Sequence, residues 1–260
     1  MDDAAGFFSP FERRRFTVNS GEIEVFVAGD GAPLLYLHGR GGLRKSLVHL
    51  ALAARFRVFL PVHPGFDGTE FHDGVASMPA LAGLYRDFVE RHVGGPCHVV
   101  GHSFGGWLAA WFAVLYGDLV GRLVLECPAG FRPGGAPSTT VDADAVRRML
   151  YAHPERQPPD DRPPGMEDAN RLRAPHYHGG MPIDENLVAS LGEIACPALL
   201  VYGLADGIIP METCRILEER IPGLRSDYVE DAAHGLEIDQ PERVAETVVR
   251  FLEEGGAQPS

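Results

Sequence analysis

Three residue types that can together perform acyl transfer stand far apart in this chain: a serine, an aspartate and a histidine. Ser103 lies in Gly-His-Ser-Phe-Gly, Asp206 ends Gly-Leu-Ala-Asp, and His234 lies in Ala-Ala-His-Gly. A serine hydroxyl becomes a strong nucleophile only when a base takes its proton, and a neutral imidazole is such a base. A carboxylate on the second ring nitrogen would orient the imidazole. The three residues predict a nucleophile, a general base and an orienting acid.

The glycines around Ser103 predict the turn that would expose its hydroxyl. A Gly-x-Ser-x-Gly match alone is weak evidence, so its context decides. Residues 97–103, CHVVGHS, have the pattern of a buried strand, and the apolar run that follows has the pattern of a helix. Gly101 and Gly105 lack Cβ atoms where the two backbones would nearly touch. The serine can then adopt an unfavourable conformation with its hydroxyl raised.

Catalysis by serine also needs donors for the oxyanion that forms. Residues 34–42, LLYLHGRGG, end a strand-like run in a glycine-rich turn, where backbone N–H groups are free to face the site. We expect the N–H of Arg40 and the N–H of Phe104, the residue after the nucleophile, to form the oxyanion hole.

Strand-like and helix-like segments alternate along the chain, and this alternation predicts an α/β fold. From the third strand-like run onward, helical patterns lie between the runs. This order gives a mostly parallel sheet with helices on both faces. The eight strand-like runs are RRFTV, IEVFVAG, PLLYLHG, RVFLPV, HVVGHS, RLVLEC, PALLVYG and SDYVED. The helical patterns between and after them are residues 43–54, 76–92, 105–117, 210–221 and 240–253.

The alternation stops at residues 131–193, which contain nine of the 21 prolines. Three short helices are predicted there, at 142–153, 166–173 and 184–194, separated by proline breakers. We interpret the segment as a small helical lid inserted after the sixth strand; the alternative is a mobile surface loop. The core would then comprise residues 1–130 and 194–260.

Composition excludes several classes of function. The net charge of −13 would repel nucleic acid and anionic membranes. Four cysteines without Cys-x-x-Cys spacing indicate reduced thiols and no disulfide framework. No signal peptide or membrane-length apolar run is seen, so we expect a cytoplasmic protein with a small-molecule substrate. A single lysine, Lys45, among 23 basic residues is typical of a high-GC bacterial genome. The sequence indicates no oligomeric state.

In the order of its motifs the chain resembles the α/β-hydrolase superfamily. The motifs are HGRGG (38–42), GHSFGG (101–106), GLAD (203–206) and AAHG (232–235). The resemblance implies an eight-stranded α/β-hydrolase fold with a nucleophile after strand 5, an acid after strand 7 and a histidine after strand 8. Glu126, at the end of strand 6, is the alternative acid.

Several other motif residues have structural interpretations. We expect His38 and His102 to brace the turns, with Gly39, Gly101 and Gly105 allowing close packing. His176 and His178 could suggest a metal, but two ligands without a third do not support one.

The insertion and one turn leave questions open. Five residues of the insertion could line the pocket, although a solvated face is the simpler interpretation: Arg171, Arg173, His176, Tyr177 and His178. Many relatives carry aspartate and glycine where this chain has Val62 and Asp67, which leaves the subfamily open.

The resemblance implies a serine hydrolase that cleaves a small or medium carboxylic ester without a cofactor or a metal. A serine nucleophile disfavours epoxide hydrolase and haloalkane dehalogenase activity, since those relatives use aspartate. Three other reactions use similar triads: hydrolysis of a diketone-type C–C bond, thioester hydrolysis and cofactor-free perhydrolysis. A ligand-binding receptor on the same fold is the non-enzymatic alternative.

Overall fold

The computed structural model of the protein describes residues 10–133, 143–158, 160 and 162–254. The ends of the predicted core, together with residues 134–142, 159 and 161 of the predicted insertion, lie outside the described residues. Within the described part, no helix is both long enough and apolar enough to cross a bilayer.

Eight strands form one mostly parallel sheet, as predicted. They are β1 (Glu12–Val18), β2 (Gly21–Ala28), β3 (Ala32–Leu37), β4 (Phe56–Pro61), β5 (Cys97–His102), β6 (Val120–Glu126), β7 (Ala198–Gly203) and β8 (Arg225–Val229). Their order in the sheet is β1-β2-β4-β3-β5-β6-β7-β8. The β1–β2 and β2–β4 pairs are antiparallel, and all the other pairs are parallel.

The helices follow the predicted alternation with shifted ends. They are α1 (Leu47–Ala53), α2 (Met78–Phe88), α3 (Phe104–Leu115), α4 (Ala143–Leu150), α5 (Met166–Arg173), α6 (Pro175–His178), α7 (Glu185–Ser190), α8 (Glu212–Arg220), α9 (Leu236–Asp239) and α10 (Pro241–Glu253). Helix α2 continues as a π-helical turn, Val89–Val93, and 3₁₀ turns lie at Gly117–Leu119, Pro154–Arg156 and Leu191–Glu193.

Helix α1 begins four residues later than residues 43–54 predicted. The N–H of Leu43 donates to Asp67 Oδ2 at 2.8 Å, which fixes this segment to the loop after β4. Ser46 is the N-cap residue of helix α1, and its N–H donates to His49 Nδ1 at 2.9 Å. Tertiary contact therefore outweighs the local helical pattern here.

The core lies along the central strands and helix α3. Every residue of β7 is buried, as are the last four residues of β3. Helix α3 is apolar on all sides and has ten buried residues, as expected for a helix enclosed by other elements. It packs on β3, β5 and β6 and against α2, while α1 packs against α10.

The insertion closes on itself at its base. Phe131 and Ile183 form an isolated antiparallel bridge, and Asp184 N donates to Gly130 O at 2.8 Å. Trp107 and Trp111 of α3 both donate their indole N–H to Asp184 Oδ2, at 3.0 and 2.8 Å. The segment therefore leaves and rejoins the core at one place, directly on α3.

Candidate active site

The parallel sheet brings the predicted motifs to one edge. Strands β3, β5, β7 and β8 all run in the same direction, so their carboxyl ends lie together. Gly39, Ser103, Asp206 and His234 follow these four strands in turn. Open parallel sheets place ligands at this edge.

Ser103 occupies a backbone conformation that L-residues rarely adopt, with φ 53° and ψ −112°. Such a conformation costs on the order of 1–3 kcal/mol. Its neighbours hold it there, because Ser103 N donates to Glu126 O at 2.9 Å and Ser103 O accepts from Trp107 N and Ala129 N at 3.1 and 2.9 Å. The turn that the sequence predicted is therefore present.

Two glycines make this turn possible. A Cβ atom on Gly105 would lie 1.9 Å from Leu37 O, and one on Gly101 would lie 2.2 Å from Gly105 O. Both contacts are with backbone, which cannot move aside. Strand β5 and helix α3 can approach this closely only with glycine at both positions.

His234 lies between the serine and the aspartate. Its Nε2 is 2.9 Å from Ser103 Oγ, and its Nδ1 is 2.8 Å from Asp206 Oδ2. The His234 and Asp206 side chains are 6% and 0% exposed. The structure thus joins three residues that are spread over 131 positions in one hydrogen-bonded chain.

Asp206 is held as a carboxylate. Burial alone would raise the pKa of its carboxyl, but the charge of His234 and the hydrogen bonds to the carboxylate outweigh burial, and the pKa lies below its ordinary value. Those bonds include the N–H groups of Ile208 and Ile209, which donate to Asp206 Oδ1 at 2.7 and 2.9 Å. Asp206 is therefore charged and fixed in orientation at neutral pH.

Glu126, the alternative acid, has a different partner. Its Oε2 accepts from Tyr36 Oη at 2.6 Å, while its Oε1 has no hydrogen-bond partner within the described structure. Burial raises the pKa of Glu126 to about 7. Since Asp206 already occupies His234 Nδ1, the geometry favours Asp206 as the acid.

The glycine-rich loop after β3 packs directly on the serine. A Cβ atom on Gly39 would lie 2.9 Å from His102 Nδ1 and 3.5 Å from Ser103 Cβ. Arg40 follows in this loop, and Phe104 opens helix α3, where the first N–H groups have no intrahelical acceptor. Neither the Arg40 N–H nor the Phe104 N–H donates to any described residue. Both are thus available to an oxyanion.

The two motif histidines contact the turns. His38 Nδ1 donates to Gly39 O at 2.8 Å, and His38 Nε2 accepts from His63 N at 3.1 Å. Burial lowers the pKa of His38 to about 4, so it is neutral near pH 7. His102 Nε2 donates to His234 O at 2.8 Å. His102 therefore holds the backbone of the general-base candidate.

A cavity of about 400 Å³ opens at Ser103 and His234. Trp107, Leu150 and Ile208 are among the apolar residues in its wall, and Ile209, Met181 and Val146 extend that surface. Five arginines also line it: Arg40, Arg44, Arg132, Arg162 and Arg171. The cavity combines an apolar wall with an unusual density of cations.

The predicted pocket residues of the insertion divide into two groups. Arg171 and His178 line the cavity. Tyr177 is buried and donates to Pro64 O at 2.7 Å, and Arg173 donates to Gly65 O and Thr69 O at 3.0 and 3.1 Å. His176 Nε2 donates to Val75 O at 3.1 Å. The segment thus packs on the loop after β4 through buried Tyr177 and half-buried Arg173, while His176 remains exposed, so the solvated face that the sequence suggested holds only in part.

Two residues that sequence reasoning missed hold this packing together. Asn170 is buried; it accepts from Asp67 N at 2.8 Å and donates to Asp67 Oδ1 and Gly41 O at 2.7 and 2.9 Å. Arg162 Nη1 also donates to Asp67 Oδ1, at 3.0 Å. The only sequence feature that pointed to this packing was an aspartate, Asp67, where many relatives have glycine. Its role could not be inferred because its partner, Asn170, lies 103 positions away.

One group of potential metal ligands lies at this site. Ligand atoms of Cys127, Asp206 and His234 lie within 4.8 Å of one another. Burial raises the pKa of the Cys127 thiol well above its ordinary value. A metal would require the thiolate. His234 bonds Asp206 Oδ2 through Nδ1 at 2.8 Å and faces Ser103 Oγ through Nε2 at 2.9 Å, an arrangement that fits proton transfer.

Comparison with known proteins places this geometry in context. A family model described as "Alpha/beta hydrolase family" matches residues 34–247. The chain is 28% identical, over 261 residues, to a pimeloyl-(acyl-carrier protein) methyl ester esterase of Aeromonas hydrophila, covering 86% of this chain and 96% of the relative. It is 26% identical to a pyrethroid hydrolase of Sphingobium wenxiniae, covering 85% of this chain and 87% of that relative.

Among solved structures, the chain is similar to a meta-cleavage product hydrolase from Pseudomonas fluorescens IP01. The TM-score is 0.76 and the identity 19%, over 94% of this chain and 98% of the other. At this identity the likeness concerns the fold alone.

Proposed function

The chain is an enzyme of the alpha/beta hydrolase family, and from that premise we propose that it hydrolyses small or medium carboxylic esters through an acyl-enzyme on Ser103. His234 is the general base, Asp206 is the orienting acid, and the N–H groups of Arg40 and Phe104 form the oxyanion hole.

One observation carries the proposal. Ser103 Oγ lies 2.9 Å from His234 Nε2, and the opposite nitrogen lies 2.8 Å from a buried carboxylate. An imidazole nitrogen within hydrogen-bond distance of the hydroxyl is what proton removal requires, and the positive φ of Ser103, 53°, belongs to the sharp turn that places the hydroxyl there.

The first half-reaction acylates the serine. His234 Nε2 takes the proton of Ser103 Oγ while Oγ bonds to the ester carbonyl carbon. The carbonyl oxygen becomes an oxyanion that accepts hydrogen bonds from the two backbone N–H groups, each worth about 10²–10³ in rate. His234 then gives its proton to the leaving alcohol, the C–O bond breaks, and Ser103 is left acylated.

The second half-reaction releases the acid. His234 removes a proton from water, and the resulting hydroxide attacks the acyl carbon of the Ser103 ester. The same two N–H groups hold the second oxyanion. The bond to Oγ breaks, His234 returns the proton to Ser103, and Asp206 stabilises the imidazolium in both halves.

The cavity supports a compact ester as substrate. Its volume of about 400 Å³ lies in the ordinary range for small-molecule sites. We also propose that residues 131–193 act as a lid, since Leu150, Arg171 and His178 from this segment form part of the cavity wall. The Aeromonas relative is named for a methyl ester, which favours ester hydrolysis over the other reactions of such triads.

Covalent labelling with a fluorophosphonate probe tests the nucleophile. We expect wild-type protein to be labelled, Ser103→Ala to show no labelling, and His234→Ala to be labelled far more slowly. Ser226→Ala and His92→Ala are matched controls, because Ser226 bonds Glu218 and His92 bonds Thr17 O, away from the cavity. An unlabelled wild-type protein whose melting temperature still shifts with a small molecule would support the ligand-binding receptor instead.

A substrate panel separates the possible reactions. We expect aryl and alkyl esters to be turned over faster than acyl thioesters or vinylogous diketones, with Ser103→Ala inactive on all of them. Faster turnover of the diketone would replace ester hydrolysis with C–C bond hydrolysis as the function, and faster turnover of thioesters would make the protein a thioesterase. Peroxyacid formation from an ester and hydrogen peroxide, measured against hydrolysis, tests perhydrolysis.

A further inference from the structure

We propose that the ester which this enzyme hydrolyses carries a carboxylate, and that the guanidinium of Arg40 binds this carboxylate inside the cavity. The inference rests on the proposed ester hydrolase function and adds the chemical class of its substrate.

The cavity is positive, whereas the chain as a whole is strongly negative. Five arginines line it, and among the described residues only Glu167 and Glu237 contribute carboxylates to its wall. The chain carries 36 acidic residues against 23 Lys and Arg and has a net charge of −13. An excess of one sign in the wall of a cleft focuses the electrostatic potential inside it, so any arginine of this wall that has no anionic partner would attract an anion.

Three of the five arginines have anionic partners. Arg44 lies 2.9 Å from Asp160 and 3.0 Å from Glu167. Arg162 lies 2.9 Å from Asp160 and 3.0 Å from Asp67. Arg171 pairs with Glu167 and, at 3.5 Å, with Asp168. These three guanidinium groups are paired where they are; Arg44 and Arg162 join the insertion to the loops of the core, and Arg171 pairs within the insertion.

Arg40 and Arg132 have no carboxylate partner among the described residues. Arg132 Nη1 donates to Ile208 O at 2.6 Å, so its guanidinium is partly engaged with backbone. The Arg40 guanidinium has neither an ion pair nor a hydrogen-bond acceptor in the described part of the chain. It is the free cation of the cavity wall.

Two neighbouring charges act on Arg40 in opposite directions, because Arg171 repels its guanidinium and Glu167 attracts it without pairing with it. Burial, followed by repulsion from Arg171, lowers the pKa of the Arg40 guanidinium, but an arginine stays charged near neutral pH. Burial also lowers the pKa of His178 to about 4, so this neighbour is neutral and offers no anion. Arg40 is exposed and lines the cavity, so a carboxylate that enters the cavity can reach its guanidinium and form a charge-assisted hydrogen bond.

The position of Arg40 ties the anion to the reaction. Its backbone belongs to the same loop as Gly39, which packs against Ser103. A carboxylate on the guanidinium and an ester on Ser103 would therefore belong to one small molecule. A carboxylate fits a single unpaired guanidinium in both charge and planar geometry, whereas a doubly charged phosphate would require more.

Two matched pairs of substrates test the inference. In the first pair the carboxylate is on the acyl side: mono-para-nitrophenyl adipate against para-nitrophenyl hexanoate, which have equal chain lengths. In the second it is on the alcohol side: the butyrate ester of para-hydroxybenzoate against that of its methyl ester. We expect kcat/KM for the acid of at least one pair to exceed that of its neutral partner by about tenfold or more.

Variants assign the preference to Arg40. Arg40→Gln should bring the acid-to-neutral ratio of kcat/KM close to one, mainly through KM. Arg40→Lys, which keeps the charge, should retain part of the preference. Arg215→Gln is the control for loss of a positive charge, since Arg215 is exposed on α8 and does not line the cavity. Adipate should inhibit neutral-ester hydrolysis more strongly than hexanoate does. This difference should be largest in wild type, smaller in Arg40→Lys and smallest in Arg40→Gln.

The outcomes distinguish this inference from the proposed function. Hydrolysis of the neutral esters through Ser103 with no preference for either acid would overturn the inference alone. A preference that survives in Arg40→Gln would also overturn it. If no ester is hydrolysed and Ser103 is not labelled, both proposals fail.

Discussion

Asp206 brings a negative charge to a fully buried position, where three hydrogen bonds hold it against His234. Replacing Asp206 with Asn keeps its size but removes the charge that stabilises the imidazolium. We expect Asp206→Asn to lower kcat by about 10²–10⁴ with correct folding retained. Steady-state hydrolysis of para-nitrophenyl butyrate measures the effect.

The matched variant for this prediction is Glu126→Gln. It tests the alternative acid, and we expect it to keep most of the wild-type kcat because Glu126 bonds Tyr36 and not His234. A large loss in Glu126→Gln together with a small loss in Asp206→Asn would reverse the assignment of the acid.

We predict that Glu126 lowers the free energy of unfolding above about pH 4.5. Burial raises the pKa of Glu126 from 4.5 to about 7. Between these two pH values the Glu126 carboxyl is ionised in the unfolded chain but protonated in the folded protein. Stability is unaffected below the unfolded pKa and falls as pH rises from about 4.5 to 7. Glu126→Gln removes this cost and should gain on the order of 3 kcal/mol over wild type between pH 4.5 and pH 8.

Urea unfolding of both proteins at several pH values measures the difference. Gln can still accept the hydrogen bond from Tyr36, which makes it the suitable replacement. A free-energy difference between the two proteins that does not change with pH would contradict the role given to Glu126.

At the scale of elements, the buried amide of Asn170 is one of the contacts that pack the insertion on the core. Asn170→Ala leaves Asp67 N without a partner, whereas Gly41 O still accepts from Arg162 at 2.7 Å, and an unsatisfied buried group costs about 1–3 kcal/mol. We expect lower stability, faster proteolysis within residues 143–193, and a raised KM. Leu172→Ala on the same helix is the control, since Leu172 is 83% exposed. Unchanged proteolysis in Asn170→Ala would mean that other contacts hold the insertion.

The elements themselves were predictable to different degrees. All eight strands and the helices between them follow from short apolar runs and from periodicity, because burial dictates both. The start of α1 does not follow, since Asp67 binds the Leu43 N–H from a distant loop. The same holds for the packing of the insertion, where Asn170 and Arg162 recognise Asp67 across about 100 residues. Contacts between distant loops leave no local pattern in a single sequence.

The part of the candidate site that lies at the carboxyl ends of strands was predictable from the sequence. Ser103, Asp206 and His234 follow strands whose direction is fixed by the alternation, so their meeting at one edge could be expected. Tyr36, His63 and Cys127 surround them without a signal, because single polar residues in strands and turns are common. The free charge of Arg40 could not be foreseen either, since it depends on which arginines the insertion neutralises.

At the scale of the whole molecule, the site draws on nearly the full chain. Its residues come from position 40, from α3, and from the loops after β7 and β8, so partial unfolding should abolish it. We expect activity and far-UV circular dichroism to be lost at the same urea concentration, in one cooperative transition. Loss of activity well before loss of helix would show that the insertion or a site loop unfolds independently.

The shared carboxylate at Asp184 gives the protein an optical reporter of its own. The chain has two tryptophans, and both indoles donate to the same oxygen of Asp184 at the root of the insertion. Trp107 also borders the cavity. Intrinsic emission therefore senses ligand entry and detachment of this root without any attached dye, and Trp111→Phe would isolate the signal of the indole that meets the ligand.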